Sequence, residues 1–277
     1  MSAIKIIKGD LELNYTRFNF PAGEVSIKLD ASNYKFRFAP GNITLFARLH
    51  NGDDFIALAM IKDALEELGE KNIELYIPYF NYAQQDRVCD KGESFSLNVF
   101  AKLINSLNFS LVAVLDPHSG VLNKGLVNKL KVITQRNVME DWIELSNRAK
   151  SCIFVAPDAG ANKKISDLAK YFEHKEFVRA DKLRDLTNGK ILETIVYKDD
   201  FKGQDVMIAD DICVGGATFI ALAKELKKKN AGKVVLFITH GVFSKGVDEL
   251  FNSGIDEIWT TNSYNETYDS RLNVCKL

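Results

Sequence analysis

Short β-rich apolar runs alternate with longer amphipathic stretches along nearly the whole chain, and this rhythm limits the possible folds more than any single motif. ITLFARL (43–49), IELYIP (73–78) and SLVAVLD (110–116) read as strands. Between them, DDFIALAMIKDALEELGE (53–70) and SLNVFAKLINSL (96–107) carry apolar residues at helical spacing. Asp53 or Asp54 is expected to cap the first of these helices, and Gly69 to sit near its end. The second half continues with strands at SCIFVAP (151–157), ILETIVY (191–197), QDVMIAD (204–210), VVLFITH (234–240) and IDEIWTT (255–261). Its helices are expected at NKKISDLAKYF (162–172), ATFIALAKELKKK (217–229) and KGVDELFNSG (245–254). Strands this apolar need cover on both faces, so the fold class is α/β, with mainly parallel sheets flanked by helices. A chain of 277 residues suits two such domains, expected at 1–140 and 141–277.

Bulk charge excludes some partners. Lys+Arg 36 against Asp+Glu 37 leaves a net charge of -1, which gives no electrostatic footprint for a nucleic acid or an anionic membrane. Cys89, Cys152, Cys213 and Cys275 lack C-x-x-C spacing, and no apolar stretch reaches the length of a membrane span. The opening MSAIKIIKGDLELNY has no signal-peptide apolar core. These features predict a cytoplasmic protein with reduced thiols and neither a zinc site nor a disulfide framework.

Polar clusters close the strands, where open α/β sheets gather ligands. Asp116-Pro117-His118-Ser119-Gly120, Pro157-Asp158-Ala159-Gly160, Asp210-Asp211 and Thr239-His240-Gly241 each follow or end an apolar run. The most informative is MIADDICVGGATF (207–219): a strand, two aspartates, a glycine-containing loop and a helix from about 217. Free backbone N–H groups at such a helix start can bind a phosphate. Two adjacent carboxylates repel unless hydroxyls or a cation relieve them, so they suit a vicinal diol or a bound Mg²⁺. Phosphate at one end and diol at the other describe a sugar phosphate.

ADDICVGGAT resembles the phosphoribosyl-diphosphate loop of the type I phosphoribosyltransferase fold, and six further motifs resemble ribose-phosphate pyrophosphokinases in family order. These are FPAGE (20–24), IPYFNYAQQDRV (77–88), LDPHSG (115–120), APDAG (156–160), Lys182-Leu183-Arg184 and THGVFSKGVDELFNSGIDEIWTTNS (239–263). The resemblance implies two phosphoribosyltransferase-like domains, the first carrying ATP-binding elements and the second the ribose-phosphate and catalytic loops. It implies transfer of the β,γ-diphosphoryl group of Mg²⁺-ATP to the anomeric hydroxyl of ribose 5-phosphate, releasing AMP. Lys182 and Arg184 would be catalytic, on a flexible loop within FVRADKLRDLTNGK (177–190) that closes over the transferring phosphates. Phe20, Glu24, Gln84, Gln85, Asp86 and His118 would bind ATP, with Phe20 and Glu24 supplied by a neighbouring subunit of a homo-oligomer. His118 and Asp158 would lie at the metal, and Asp210, Asp211, Val214, Gly215, Gly216, Ala217 and Thr218 would bind the ribose phosphate.

Departures from the family pattern bear on the acceptor. The family loop usually reads Asp-Asp-x-x-Asp-Thr-Gly-Gly-Thr; here Val214 replaces the third aspartate, and Gly215-Gly216-Ala217-Thr218 replaces Thr-Gly-Gly-Thr. Gln84 stands where an arginine is common, and Ala22 where Asp or Asn is. A smaller, less polar loop leaves room for a substituent on the 5-phosphate, so ADP-ribose is a second candidate acceptor. A catalytically silent associated subunit is a third reading, opposed by the presence of Lys182, Arg184, His118 and Asp158.

Overall fold

The computed structural model describes residues 4–30, 32, 39–118, 120, 122–184 and 191–277. Ser119 and residues 185–190, which belong to two of the motifs above, lie outside them. The chain divides into two units, Met1–Ile133 and Thr134–Leu277.

The first unit is built on a six-stranded sheet in the order β2-β1-β5-β6-β7-β8. Its strands are β1 (Ile4–Lys8), β2 (Leu11–Leu13), β5 (Ile43–Ala47), β6 (Ile73–Ile77), β7 (Leu111–Leu115) and β8 (Leu130–Ile133). From β5 to β8 all pairs are parallel, whereas β1 runs antiparallel to both β2 and β5. In β1 (IKIIK) Ile4, Ile6 and Lys8 are buried and Lys5 and Ile7 are half-buried, and the Lys8 ammonium is paired with Glu70 at 3.0 Å. The charged look of this segment therefore conceals a strand. Helices α1 (Gly52–Glu67) and α2 (Ser96–Ser106) bury Leu58, Ile61 and Leu65, and Leu97, Phe100 and Ile104, in the same core.

The cap of α1 differs from expectation. Asn51 is the capping residue, accepting from Asp54 N at 3.0 Å. Asp53 is the second residue of the helix, within its first turn, and buried Asp54 instead accepts from His50 N (2.8 Å) and Arg17 (2.6 Å). Arg17 belongs to a separate hairpin of β3 (Tyr15–Asn19) and β4 (Val25–Leu29), which the ion pair ties to α1.

The second unit holds a seven-stranded sheet in the order β11-β10-β9-β12-β13-β14-β15. Its strands are β9 (Ile153–Ala156), β10 (Val178–Arg184), β11 (Ile191–Val196), β12 (Val206–Cys213), β13 (Val234–Gly241), β14 (Glu257–Thr261) and β15 (Asn273–Cys275). All pairs are parallel except β10 with β11. Every residue of β13 is buried, as a central parallel strand requires. The helices are α3 (Gln135–Asp141), α4 (Ile143–Ser151), α5 (Asn162–Tyr171), α6 (Ala217–Lys228) and α7 (Asp248–Asn252). The last is shorter than the expected 245–254, because residues 242–246 form a tight turn with a Gly246 N to Phe243 O bond of 2.8 Å. At the end of α6, Lys227 reaches Gly232 O (2.5 Å) and Asp256 (2.8 Å), and Lys229 reaches Val196 O (3.0 Å).

Candidate active site

In the first unit the polar segment after β6 is held by its own backbone. Glu93 accepts from Cys89 N (2.9 Å) and Asp90 N (3.0 Å), which lowers its pKa, and Leu97 N donates to Gln85 O at 3.3 Å. The segment borders a cleft of about 530 Å³ with Gln84, Gln85, Asp86 and His118 among its walls, so four of the expected ATP residues meet in one place. Arg87 and Cys89 line it as well. Arg87 lies inside the motif already quoted for this segment, and it brings the cation that Gln84 does not.

Phe20 and Glu24 are not in that cleft. They form the tip of the β3–β4 hairpin, where Phe20 N donates to Glu24 O and Gly23 N to Phe20 O, each at 2.8 Å. Phe20 is 49% exposed and meets Phe18 edge-on at 5.2 Å. Both also line a shallow depression with Asp53, Ile56 and Met60.

In the second unit the parallel strands β9, β12 and β13 are neighbours, so Asp158, Asp210-Asp211 and Thr239-His240-Gly241 gather along the carboxyl edge of one sheet. Strand β10 pairs with β9 only at Val178–Val155 and Arg179–Ala156, then runs on past the end of β9. Alternation puts Lys182 on the same face as buried Ala180, and its Nζ reaches Asp158 Oδ2 at 2.5 Å. The segment expected to be a loop is therefore a strand through Arg184, stiffened by pairing with β11. Arg184 ends that strand, and its side chain lies outside the described part of the chain.

Asp158 is fully engaged. Its Oδ1 accepts from Ala161 N at 3.2 Å, capping the turn that leads into α5, while Oδ2 holds Lys182. Burial alone would raise its pKa, but the Lys182 ammonium and the Ala161 and Gly160 N–H groups outweigh it and hold the carboxyl below the usual aspartate range.

Asp210 and Asp211 lie within β12 rather than after it. Asp210 Oδ1 accepts from Asp211 N at 2.9 Å, and the two carboxyl groups are close enough to share a proton. Burial and the charge of Asp211 push the Asp210 pKa well above the aspartate range, and Lys164 offsets this in part. Below them, Gln135 is buried and donates to Asp210 O (2.7 Å) and Thr239 Oγ1 (3.0 Å). Nothing local in TQRNVMED marks Gln135 for this task; only the fold brings it under the pair. His240 is likewise structural, with Nδ1 2.8 Å from Ser263 Oγ in a buried network that includes Thr239 and Thr261.

The loop from Val214 to Ala217 leads directly into α6. Gly216 occupies the N-cap position at φ +76°, and no side chain caps the first turn. A Cβ there would lie 3.0 Å from Leu250 Cδ2. Gly216→Ala should therefore destabilise the second unit by about 1–2 kcal/mol from the left-handed backbone alone, read as a lower urea midpoint; an unchanged midpoint would refute this account of the turn. Val214 is 41% exposed, and Ala217 is exposed at the helix start.

The donor set fits a hard cation. Mg²⁺ takes oxygen ligands and keeps several waters, so few protein ligands suffice. The crowded Asp210–Asp211 carboxyls, one with a raised pKa, are the kind of pair such an ion relieves.

A loop of uncapped N–H groups beside paired carboxyls, at the carboxyl edge of a parallel sheet, defines a protein of the type I phosphoribosyltransferase architecture. The family model for the phosphoribosyl synthetase-associated domain matches residues 184–276. A Pyrococcus furiosus protein named ribose-phosphate pyrophosphokinase is 28% identical over 255 residues, covering 87% of this chain and 89% of the relative. One of the same name from Campylobacter jejuni is 29% identical over 245 residues, covering 88% and 77%. The crystal structure of phosphoribosylpyrophosphate synthetase from Mycobacterium smegmatis superposes with a TM-score of 0.78 at 21% identity, covering 95% of this chain and 86% of that one. Over most of its length the chain is similar to proteins named ribose-phosphate pyrophosphokinase, which are enzymes.

Proposed function

We propose that the protein is a Mg²⁺-ATP-dependent diphosphokinase that transfers the β,γ-diphosphoryl group of ATP to the anomeric hydroxyl of ribose 5-phosphate. The products are phosphoribosyl diphosphate and AMP. The observation that carries this reading is the Asp210–Asp211 pair next to the uncapped start of α6, which offers acceptors for a ribose diol and donors for its phosphate. Asp210 and Asp211 fix the ring through its 2- and 3-hydroxyls, so that the 1-hydroxyl has one orientation. Gln135 holds the Asp210 backbone from below.

Diphosphoryl transfer asks little covalent work of a protein and much charge stabilisation. Mg²⁺, when bound, neutralises phosphate charge, and the Asp210–Asp211 carboxylates, with Asp158 and His118, are the side chains proposed to hold it. Lys182 supplies a positive charge to the transferring group. Asp158 keeps that ammonium in place until phosphate oxygens compete for it. Gln84, Gln85, Asp86 and His118, with Arg87 beside them, bind ATP in the cleft that they line. Phe20 and Glu24, exposed at a hairpin tip, serve the site of a neighbouring copy in a homo-oligomer. The four cysteines are free thiols, which suits a cytoplasmic enzyme.

A second acceptor is favoured by one observation: the loop carries exposed Val214 and side-chain-free Gly215, so a 5-phosphate with a substituent such as ADP meets little bulk. Phosphorus NMR with ATP and Mg²⁺, run separately with ribose 5-phosphate and ADP-ribose, decides between them. The expected result is AMP and a new anomeric diphosphate from ribose 5-phosphate, by particles that sediment as oligomers. Product from ADP-ribose alone would transfer the assignment to that acceptor, and AMP from neither would leave the non-catalytic subunit.

A further inference from the structure

Residues 213–218 read Cys-Val-Gly-Gly-Ala-Thr, so before Thr218 the loop offers an incoming phosphate no side-chain cation and no hydroxyl. The turn after β13 makes good the charge. Val242 N and Phe243 N both donate to Cys213 O at 3.0 Å, and Ser244 N (2.9 Å) and Oγ (3.1 Å) both donate to Val214 O. Four hydrogen bonds thus fasten residues 242–244 to the loop. Phe243 takes φ +46° and Gly246 φ +74°, a sharp reversal that contains Ser244 and Lys245. Of these, Lys245 approaches Gly215 of the loop. Its Cε and Cδ lie 3.8 and 3.9 Å from the point a Cβ on Gly215 would occupy. The lysine stem thus lies within van der Waals reach of Gly215, while the residue as a whole stays exposed.

We infer that Lys245 is a positioning and specificity-determining residue that binds the phosphate group of the acceptor at the start of α6. The inference rests on the proposed reading of this site as the acceptor site. The ligand chemistry is a phosphorylated ribose, as a monoester or as a substituted diphosphate. A mobile ammonium suits both, because it is a point charge that follows the phosphate oxygens rather than a fork fixed to one geometry. It also explains how a loop without a hydroxyl at Gly215 retains a phosphate: the N–H groups orient the anion, and the lysine supplies the full charge that a helix terminus lacks. Lys245 acts through ground-state binding and touches no reacting bond, so its loss should appear in KM and not in kcat.

The test uses the full-length protein and two variants, Lys245→Gln and Lys245→Arg, with folding checked by circular dichroism. Calorimetry without ATP measures binding of ribose 5-phosphate and of ADP-ribose, and steady-state rates give kcat and KM for whichever acceptor turns over. Lys245→Gln should weaken acceptor binding and raise its KM by about 10- to 100-fold, the range for one lost charge-assisted hydrogen bond. The ATP KM and kcat should stay within about twofold. Lys245→Arg should recover most of the loss, and added salt should weaken wild-type binding more than that of Lys245→Gln. The acceptor whose affinity falls more identifies which phosphate the ammonium meets. Unchanged acceptor affinity in Lys245→Gln overturns the inference, as does a wild type that binds neither sugar phosphate. A wild type that binds ribose phosphate through Lys245 yet releases no AMP would sink the diphosphokinase reading and leave the inference standing.

Discussion

Lys182→Ala is expected to lower kcat for diphosphoryl transfer by about 10²–10³, the loss typical of removing one preorganised charge-stabilising donor. The ATP KM should change little, because in the proposed mechanism the Lys182 charge acts on the group in transfer and not on ATP bound in the ground state. The reason for so large an effect is preorganisation. Lys182 is not a surface lysine that must be recruited; it sits on a paired strand with its ammonium 2.5 Å from a half-buried carboxylate. The same pair has a stability signature. Asp158 has a depressed pKa in the folded state, so its contribution is present above the ordinary aspartate value and is lost as the pH falls through the lowered one. In Lys182→Ala that acid-side loss should shrink, since the largest opposing charge is gone. Stopped-flow or steady-state rates, with thermal denaturation at two acidic pH values, check both. A fall in ATP affinity equal to the fall in kcat would mean that Lys182 binds the ground state instead.

The position of Lys182 also shows where the sequence stops being legible. VRADKLR mixes four charged residues with three apolar ones and reads as a polar connection, yet Val178 and Ala180 are buried on one face and Leu183 is exposed on the other. Antiparallel pairing with β11 makes it a strand, and that pairing is not written in the segment itself. Central strands were legible because burial on both faces demands an unbroken apolar run, as in VVLFITH. Strands β2 and β15 at sheet edges, and β1 next to an edge, face weaker demands and carry glutamate, asparagine and lysine. The site divides in the same way. Asp210, Asp211 and the glycine loop are contiguous and announce themselves. Gln135 beneath Asp210, Asp158 against Lys182 and Lys245 over Gly215 are tertiary neighbours 75, 24 and 30 residues apart in the chain, a separation that no local pattern encodes.

Replacing both carboxyls, Asp210→Asn with Asp211→Asn, should abolish measurable acceptor binding and at the same time make the folded protein more stable at neutral pH. The two effects share one cause. Asp210 is buried beside another carboxylate, and its folded pKa is raised. For a group shifted in this direction, stability is fully present below the unfolded pKa and is lost as the pH rises through the folded one. Above the unfolded pKa the free enzyme therefore bears the cost of a buried carboxyl beside a second one, whether it holds its proton or ionises next to its neighbour. The pair is retained because a diol or a cation relieves that cost on binding, converting stored repulsion into affinity for the acceptor. Asparagine keeps the hydrogen bond to Asp211 N and removes the charge, so the fold should survive the change. The denaturation midpoint of the wild type should drop between pH 5 and pH 8 relative to the double variant, and added Mg²⁺ should close the gap. Should the double variant bind ribose 5-phosphate as well as the wild type does, the carboxyl pair is not the diol site. Equal midpoints for the two proteins at both pH values would mean that the repulsion is relieved within the free protein itself.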